Sequence, residues 1–134
     1  MGRCGTAGSV ALTRRVPGIV KSVYDGDTMR CDLRLGWGVV IANEPVRLYG
    51  VDTPELRGDE RVAGRAAREW VRYWLLEHCD RMVGEPEVIV ESLRWEGTKG
   101  KYGRSIARIW DTTGDRCLND DLIRVGHAVA VDYS

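Results

Sequence analysis

From Val62 to Cys79, "VAGRAAREWVRYWLLEHC", the apolar residues change their spacing, and this constrains the fold more than any other feature. Ala63, Ala67, Trp70, Val71, Trp74 and Leu75 recur at i, i+3, i+4 and i+7, while Arg61, Arg65, Arg68 and Arg72 line the other side. That period predicts one long amphipathic helix. Its arginine row reads as a solvated face with acidic partners along the helix, more readily than as a phosphate strip. Before the helix the period is near two. Val20, Val23, Met29, Cys31, Leu33 and Leu35 alternate, "DGDT" (25–28) turns the chain, and "GWG" (36–38) separates the second strand from "VVIA". Val46, Leu48 and Val51 then read as a further buried row, so three or four antiparallel strands precede the helix.

After the helix, "GEP" (84–86) closes the helical region and "EVIVESLRW" is a strand. "EGTKGKYGR" (96–104) is a glycine-rich basic loop, and "RSIARIWDTTGDRCL" is strand, turn, strand. "LNDDLIRVGHA" is a short helix, with Asn119 as N-cap and Gly126 as the stop. The expected fold is α+β and mainly β: a five-stranded barrel of OB type, with one long helix after strand three and a short C-terminal helix. Residues 1–15 are expected to be a basic, flexible tail, and 16–134 a single domain.

Size and charge narrow the functions. A chain of 134 residues buries a core without disulfides. Twenty basic and twenty acidic residues cancel, which argues against coating nucleic acid by bulk charge but not against gripping one phosphate. Cys4, Cys31, Cys79 and Cys117 form no C-x-x-C and no zinc spacing with His78 or His127, so reduced thiols are expected. No stretch has the pattern of a secretion signal or approaches a membrane span. The expectation is a cytoplasmic protein without a membrane partner, with a trimmed secreted protein as the alternative; the oligomeric state is left open.

Three short segments hold polar residues that a core does not require: "DGDT", "RLYGVDTPE" (47–55) and "KYGR" (101–104). Alone, "DGDT" is a hairpin turn and "KYGR" a basic one. An EF-hand fails, because Met29, Arg30 and Gly36 occupy its fifth, sixth and twelfth positions. Together the segments point to chemistry. Asp27 and Asp52 offer oxygen to a hard cation, and the turn through Thr53 and Pro54 offers a carbonyl. Arg47 and Arg104 have the forked donors that hold a phosphate. Glu55, just past the turn, is placed to take a proton from water. A cation, two guanidiniums and a base are the parts of phosphodiester hydrolysis.

In the order and spacing of "DGDT", "VRLYGVDTPE", "KYGR" and "LNDDLIRVGHA", the chain resembles the staphylococcal nuclease (thermonuclease) family, from about Val16 to Tyr133. The resemblance implies an OB-type barrel and a Ca²⁺-dependent nuclease that cuts DNA or RNA at the 5′ P–O bond and leaves 3′-phosphate ends. It implies that Asp27, Asp52 and the Thr53 carbonyl bind Ca²⁺, and that Glu55 is the general base. Arg47 and Arg104 would clamp the scissile phosphate, and Lys101 and Tyr102 would contact a terminal phosphate. Three features depart from the family pattern. "LGWGVVIANEP" is longer and more apolar than the usual hairpin, Tyr133 is offset from the family's base-stacking aromatic, and nothing corresponds to its last helix. The alternatives are an inactive nucleic-acid-binding module of the same fold and an unrelated OB-type protein that binds sugar or protein.

Overall fold

The computed structural model describes residues 14–93 and 105–131. The strands are β1 (Arg14–Asp25), β2 (Thr28–Gly36), β3 (Val39–Leu48), β4 (Val51–Asp52), β5 (Arg81–Met82), β6 (Glu85–Ser92), β7 (Ser105–Trp110) and β8 (Val129–Ala130). A 3₁₀ turn at Gly58–Glu60 leads into α1 (Arg61–His78), and α2 spans Leu118–Arg124. Strands β1, β2, β3, β7 and β6 pair in that order, and β6 returns to β1, closing a five-stranded barrel. All these pairings are antiparallel except β3 with β7, where Val46, Arg47 and Leu48 align with Ser105, Ile106 and Ala107. This is the expected OB-type barrel, with its long helix following β3 and β4.

Alternation predicted the wall of the barrel. Val20, Met29, Cys31, Leu33, Val46, Leu48 and Val51 all point into the core. Each such side chain contributes about 1.5–3 kcal/mol when fully buried. Leu35 does not follow its row inward; it lies beyond the barrel rim and is exposed. Helix α1 covers the core with Gly64, Ala67, Val71, Trp74 and Leu75. Ala63, expected on that face, is exposed, and Gly64 takes the inward position. The arginine row is largely exposed, as expected, except that Arg68 is half-buried.

Several local expectations change. Strand β1 opens at Arg14, so the barrel already includes two residues assigned to the tail. "GEP" does not end the helical region: α1 stops at His78, Gly84 turns a tight hairpin between β5 and β6, and Glu85 and Pro86 begin β6. The second strand of "RSIARIWDTTGDRCL" shrinks to a single bridge between Trp110 and Cys117. Asn119 is not the N-cap of α2, whose cap position is Cys117. It is buried, accepts the Ile109 N–H at 3.0 Å and donates to the carbonyls of Tyr49 at 2.9 Å and Ala107 at 3.2 Å. It therefore ties α2 to the end of β3 and to β7. Gly126, at φ 89°, does end the helix as expected.

Trp74 Nε1 donates to Asp121 Oδ2 at 2.8 Å, joining the two helices, and Arg116 Nε donates to the same oxygen at 2.8 Å. "GWG" forms a two-residue turn between the paired Gly36 and Val39, with Trp37 at φ 55° and Gly38 at φ 77°. Trp37 stands fully exposed at its tip. Cys31, Cys79 and Cys117 are free thiols; Cys31 and Cys117 are buried. Cys4 lies outside the described residues. No helix among the described residues is long and apolar enough to cross a membrane.

Candidate active site

The site lies where the β1–β2 turn meets the end of β3. Asp27 is the second residue of that turn, and its carbonyl accepts the Leu48 N–H at 2.9 Å, which fixes the turn to β3. The preceding residue must be glycine for reasons of space. A Cβ on Gly26 would lie 2.7–2.9 Å from the Thr53 side chain. This close approach lets Asp27 Oδ2 accept the Thr53 N–H at 3.0 Å while Oδ1 accepts the Thr28 hydroxyl at 3.1 Å.

Asp52 reaches the site by a different device. Gly50, at φ 76°, turns the chain out of β3, and β4 then pairs with β8, Asp52 opposite Val129. The acid's position therefore depends on a strand from the end of the described chain. Its side chain is just over half exposed, whereas that of Asp27 is nearly covered. Arg47, from β3, lies between them: Nη1 is 2.7 Å from Asp27 Oδ2 and Nη2 is 3.7 Å from Asp52 Oδ1. Although close to Asp27, Nη1 is buried and has no aligned hydrogen bond. The guanidinium is therefore held as an ion pair against Asp27, with Asp52 on its other side. Thr53 Oγ1 is likewise buried without a partner.

Asp25, the first acid of "DGDT" and not among the residues expected from sequence, also faces this site. Its Oδ1 accepts the Asp27 N–H at 3.1 Å. Its carboxyl is pushed up to about 7, first by burial and then by the neighbouring Asp27 carboxyl. The signal was present in the same four residues. Burial beside the Asp27 carboxyl makes a second negative charge costly, so Asp25 keeps its proton almost to neutrality, and a divalent cation nearby would relieve that repulsion. All side-chain donors here are oxygens, which fits a hard ion such as Ca²⁺. Among the described residues no group of three or more His, Cys, Asp or Glu converges on one metal position. Asp27 and Asp52 are the side chains here that could offer oxygen to a cation.

Glu55 is exposed. It lines a cleft of about 220 Å³ together with Asp52, Thr53, Glu60 and His127. Its N–H is held by Glu60 Oε1 at 2.9 Å. The segment under it is pressed against α1, where the Gly64 α-carbon faces the Pro54 and Glu55 carbonyls with no room for a Cβ. The structure thus brings Asp27, Arg47, Asp52 and Thr53 together and places Glu55 in the adjoining cleft. Lys101, Tyr102 and Arg104 lie outside the described residues; β7 opens at the next residue, Ser105, aligned with Val46.

Fold and site define an OB-type barrel that gathers acids and an arginine at one rim, between the first turn and the end of the third strand. Comparison with known proteins makes the class specific. Residues 45–134 match the family model described as "Staphylococcal nuclease homologue". The chain is 35% identical over 118 residues to a thermonuclease from Staphylococcus intermedius, an alignment covering 86% of this chain and 60% of that protein. The chain belongs to the staphylococcal nuclease homologue family.

Proposed function

We propose that the chain is a Ca²⁺-dependent phosphodiesterase that hydrolyses DNA or RNA at the 5′ P–O bond, leaving 3′-phosphate ends. The observation that carries this reading is the position of Arg47 between Asp27 and Asp52 at one rim of the barrel. In this reading Asp27, Asp52 and the Thr53 carbonyl hold Ca²⁺, which when bound supplies positive charge beside the phosphate. Arg47 turns Nη1 toward a non-bridging phosphate oxygen, and Arg104 provides the second guanidinium. The phosphorane charge that grows during attack is met by donors already in place. Glu55 accepts the proton of the attacking water at its exposed carboxylate. The P–O5′ bond breaks, the leaving 5′-oxygen takes a proton from solvent water and departs as the nucleoside hydroxyl, and the phosphate remains on the 3′ side. Lys101 and Tyr102 contact a terminal phosphate.

The relative from Staphylococcus intermedius supports this reading through its name and its alignment over most of this chain. The test is nicking of supercoiled plasmid and end-group analysis of a labelled oligonucleotide, with Ca²⁺ and with EGTA. Cleavage that needs Ca²⁺, leaves 3′-phosphates and disappears in Asp27→Ala supports the proposal. A folded protein that binds the oligonucleotide but never cuts it would instead be a binding module of the same fold.

A further inference from the structure

A groove of about 600 Å³ runs alongside the site, between the end of β1, the start of β2 and helix α1. It shares a wall with the acids: Thr28, which lines it, donates to Asp27 Oδ1 at 3.1 Å, and Leu56 follows Glu55 directly. Among the described residues that line it, the two charged ones are both arginines, Arg30 and Arg68. Tyr24, also on its wall, leaves 66% of its surface exposed.

Three details show a prepared surface rather than a gap. Arg68 is the one arginine of the α1 row turned partly inward, and its Nε is buried without a hydrogen-bond partner. Its nearest acid, Glu69, is 3.4 Å from Nε and is shared with Arg72, so one carboxylate serves two guanidiniums and a positive charge is left over. Arg30 is fixed by donating from Nη1 to the Asn43 carbonyl at 2.9 Å. An exposed aromatic ring beside two arginines, over an apolar floor that includes Pro45 and Leu56, is the surface on which single-stranded nucleic acid lies. Phosphates meet the guanidiniums, and a base stacks on the ring.

We infer that this groove binds the nucleotide next to the scissile phosphate, with Tyr24 stacking on its base and Arg68 and Arg30 holding its backbone. The inference rests on the phosphodiesterase reading for its substrate class and adds a subsite to it. It also gives the arginine row a use that a solvated helix face would not have: only the residue facing the groove takes part.

The experiment compares wild type, Tyr24→Ala, Tyr24→Trp and Arg68→Gln on an eight-nucleotide oligothymidylate in Ca²⁺. Thermal unfolding confirms folding, and calorimetric binding of thymidine 3′,5′-bisphosphate monitors the central site. Tyr24→Ala and Arg68→Gln are expected to lower kcat/KM on the octamer about tenfold, equivalent to about 1.4 kcal/mol, mostly through KM. Tyr24→Trp should stay within about twofold of wild type, and bisphosphate affinity should hold in all four. Arg68→Gln should also make octamer binding less salt-dependent, by about one unit of slope. Equal octamer kinetics in all four proteins would overturn the groove assignment and leave the phosphodiesterase reading intact. If wild type does not cut, that reading fails, and octamer anisotropy in EGTA must show the same order of variants for the groove to stand. A Tyr24→Ala change in sedimentation rather than in octamer binding would make a second copy of the chain the occupant and overturn the inference.

Discussion

Gly64→Ala tests whether helix α1 fixes the position of Glu55. A Cβ at residue 64 would lie 2.1 Å from the Glu55 carbonyl oxygen, 2.7 Å from its carbon and 2.9 Å from the Pro54 oxygen. These are backbone atoms, so no side-chain rotation relieves the contact. Moving the oxygen from 2.1 Å to at least 3.0 Å requires a shift of about 0.9 Å between helix and turn. Two effects oppose each other. Alanine favours the helix by about 1 kcal/mol over glycine, and overpacking costs about 1–3 kcal/mol. Because the clash is with backbone, the cost lies at or above the upper end of that range, and the variant should be destabilised by about 2 kcal/mol or more. Activity should suffer more, because a misplacement of about 1 Å at a reacting group can lower a rate about 100-fold. Urea unfolding and plasmid nicking measure the two separately. Ala63→Gly is the control: that neighbour is exposed, so it should lose about 1 kcal/mol of stability and cut normally. If Gly64→Ala gained about 1 kcal/mol and cut at the wild-type rate, the contact would not be positioning Glu55.

Asp52→Ala should lose both Ca²⁺ binding and cleavage, while Glu55→Gln should keep most Ca²⁺ affinity and lose about 100-fold or more in rate; calorimetry beside a nuclease assay separates them. Arg47→Lys should lower kcat more than it raises KM, by about 30- to 1,000-fold, because a lysine cannot reproduce the fork; an unchanged rate with lowered stability would make Arg47 a strut for the two acids. In EGTA, Asp25 should make stability pH-dependent. Its folded value near 7 lies above the ordinary 3.8, so its contribution is full below about 4 and is lost as pH rises through 7. The stability difference between wild type and Asp25→Asn should follow that slope in urea titrations at several pH values. Asn119→Leu strands the Ile109 N–H and removes the bond to the Tyr49 carbonyl, and should cost about 1–3 kcal/mol by urea unfolding, with little change in the pH profile of cleavage.

The barrel was legible because its signal is long. Strands of nine to twelve residues repeat their alternation enough times to show a face, and α1 repeats its period over 18 residues. Strands β4 and β8 are two residues each, too short for any period, yet their pairing sets the position of Asp52. Asn119 has the residue type and location of an N-cap; its buried role depends on the Tyr49 carbonyl, 70 positions away in sequence. Ala63 and Gly64 are both small, so the helical period alone does not decide which faces the core. Space at the Pro54–Glu55 turn decides it. The acids of the site were legible as motifs, whereas the raised Asp25 carboxyl was not, since burial is a property of the folded chain.

The thiols sealed in this barrel have a kinetic consequence. Cys31 is fully buried, and burial foremost, with the Asp32 carboxylate second, pushes its thiol up to about 12. Alkylating reagents attack thiolate, so in the closed barrel Cys31 has neither the access nor the ionisation to react at neutral pH. On opening, its pKa returns to near 8.5 and labelling becomes fast. Cys79, half-buried at the end of α1 and raised to about 11 mainly by burial, needs only local fraying. Followed peptide by peptide in mass spectrometry, alkylation at Cys79 therefore times release of the helix end and alkylation at Cys31 times separation of β2 from its neighbours, each read apart from Cys4 and Cys117.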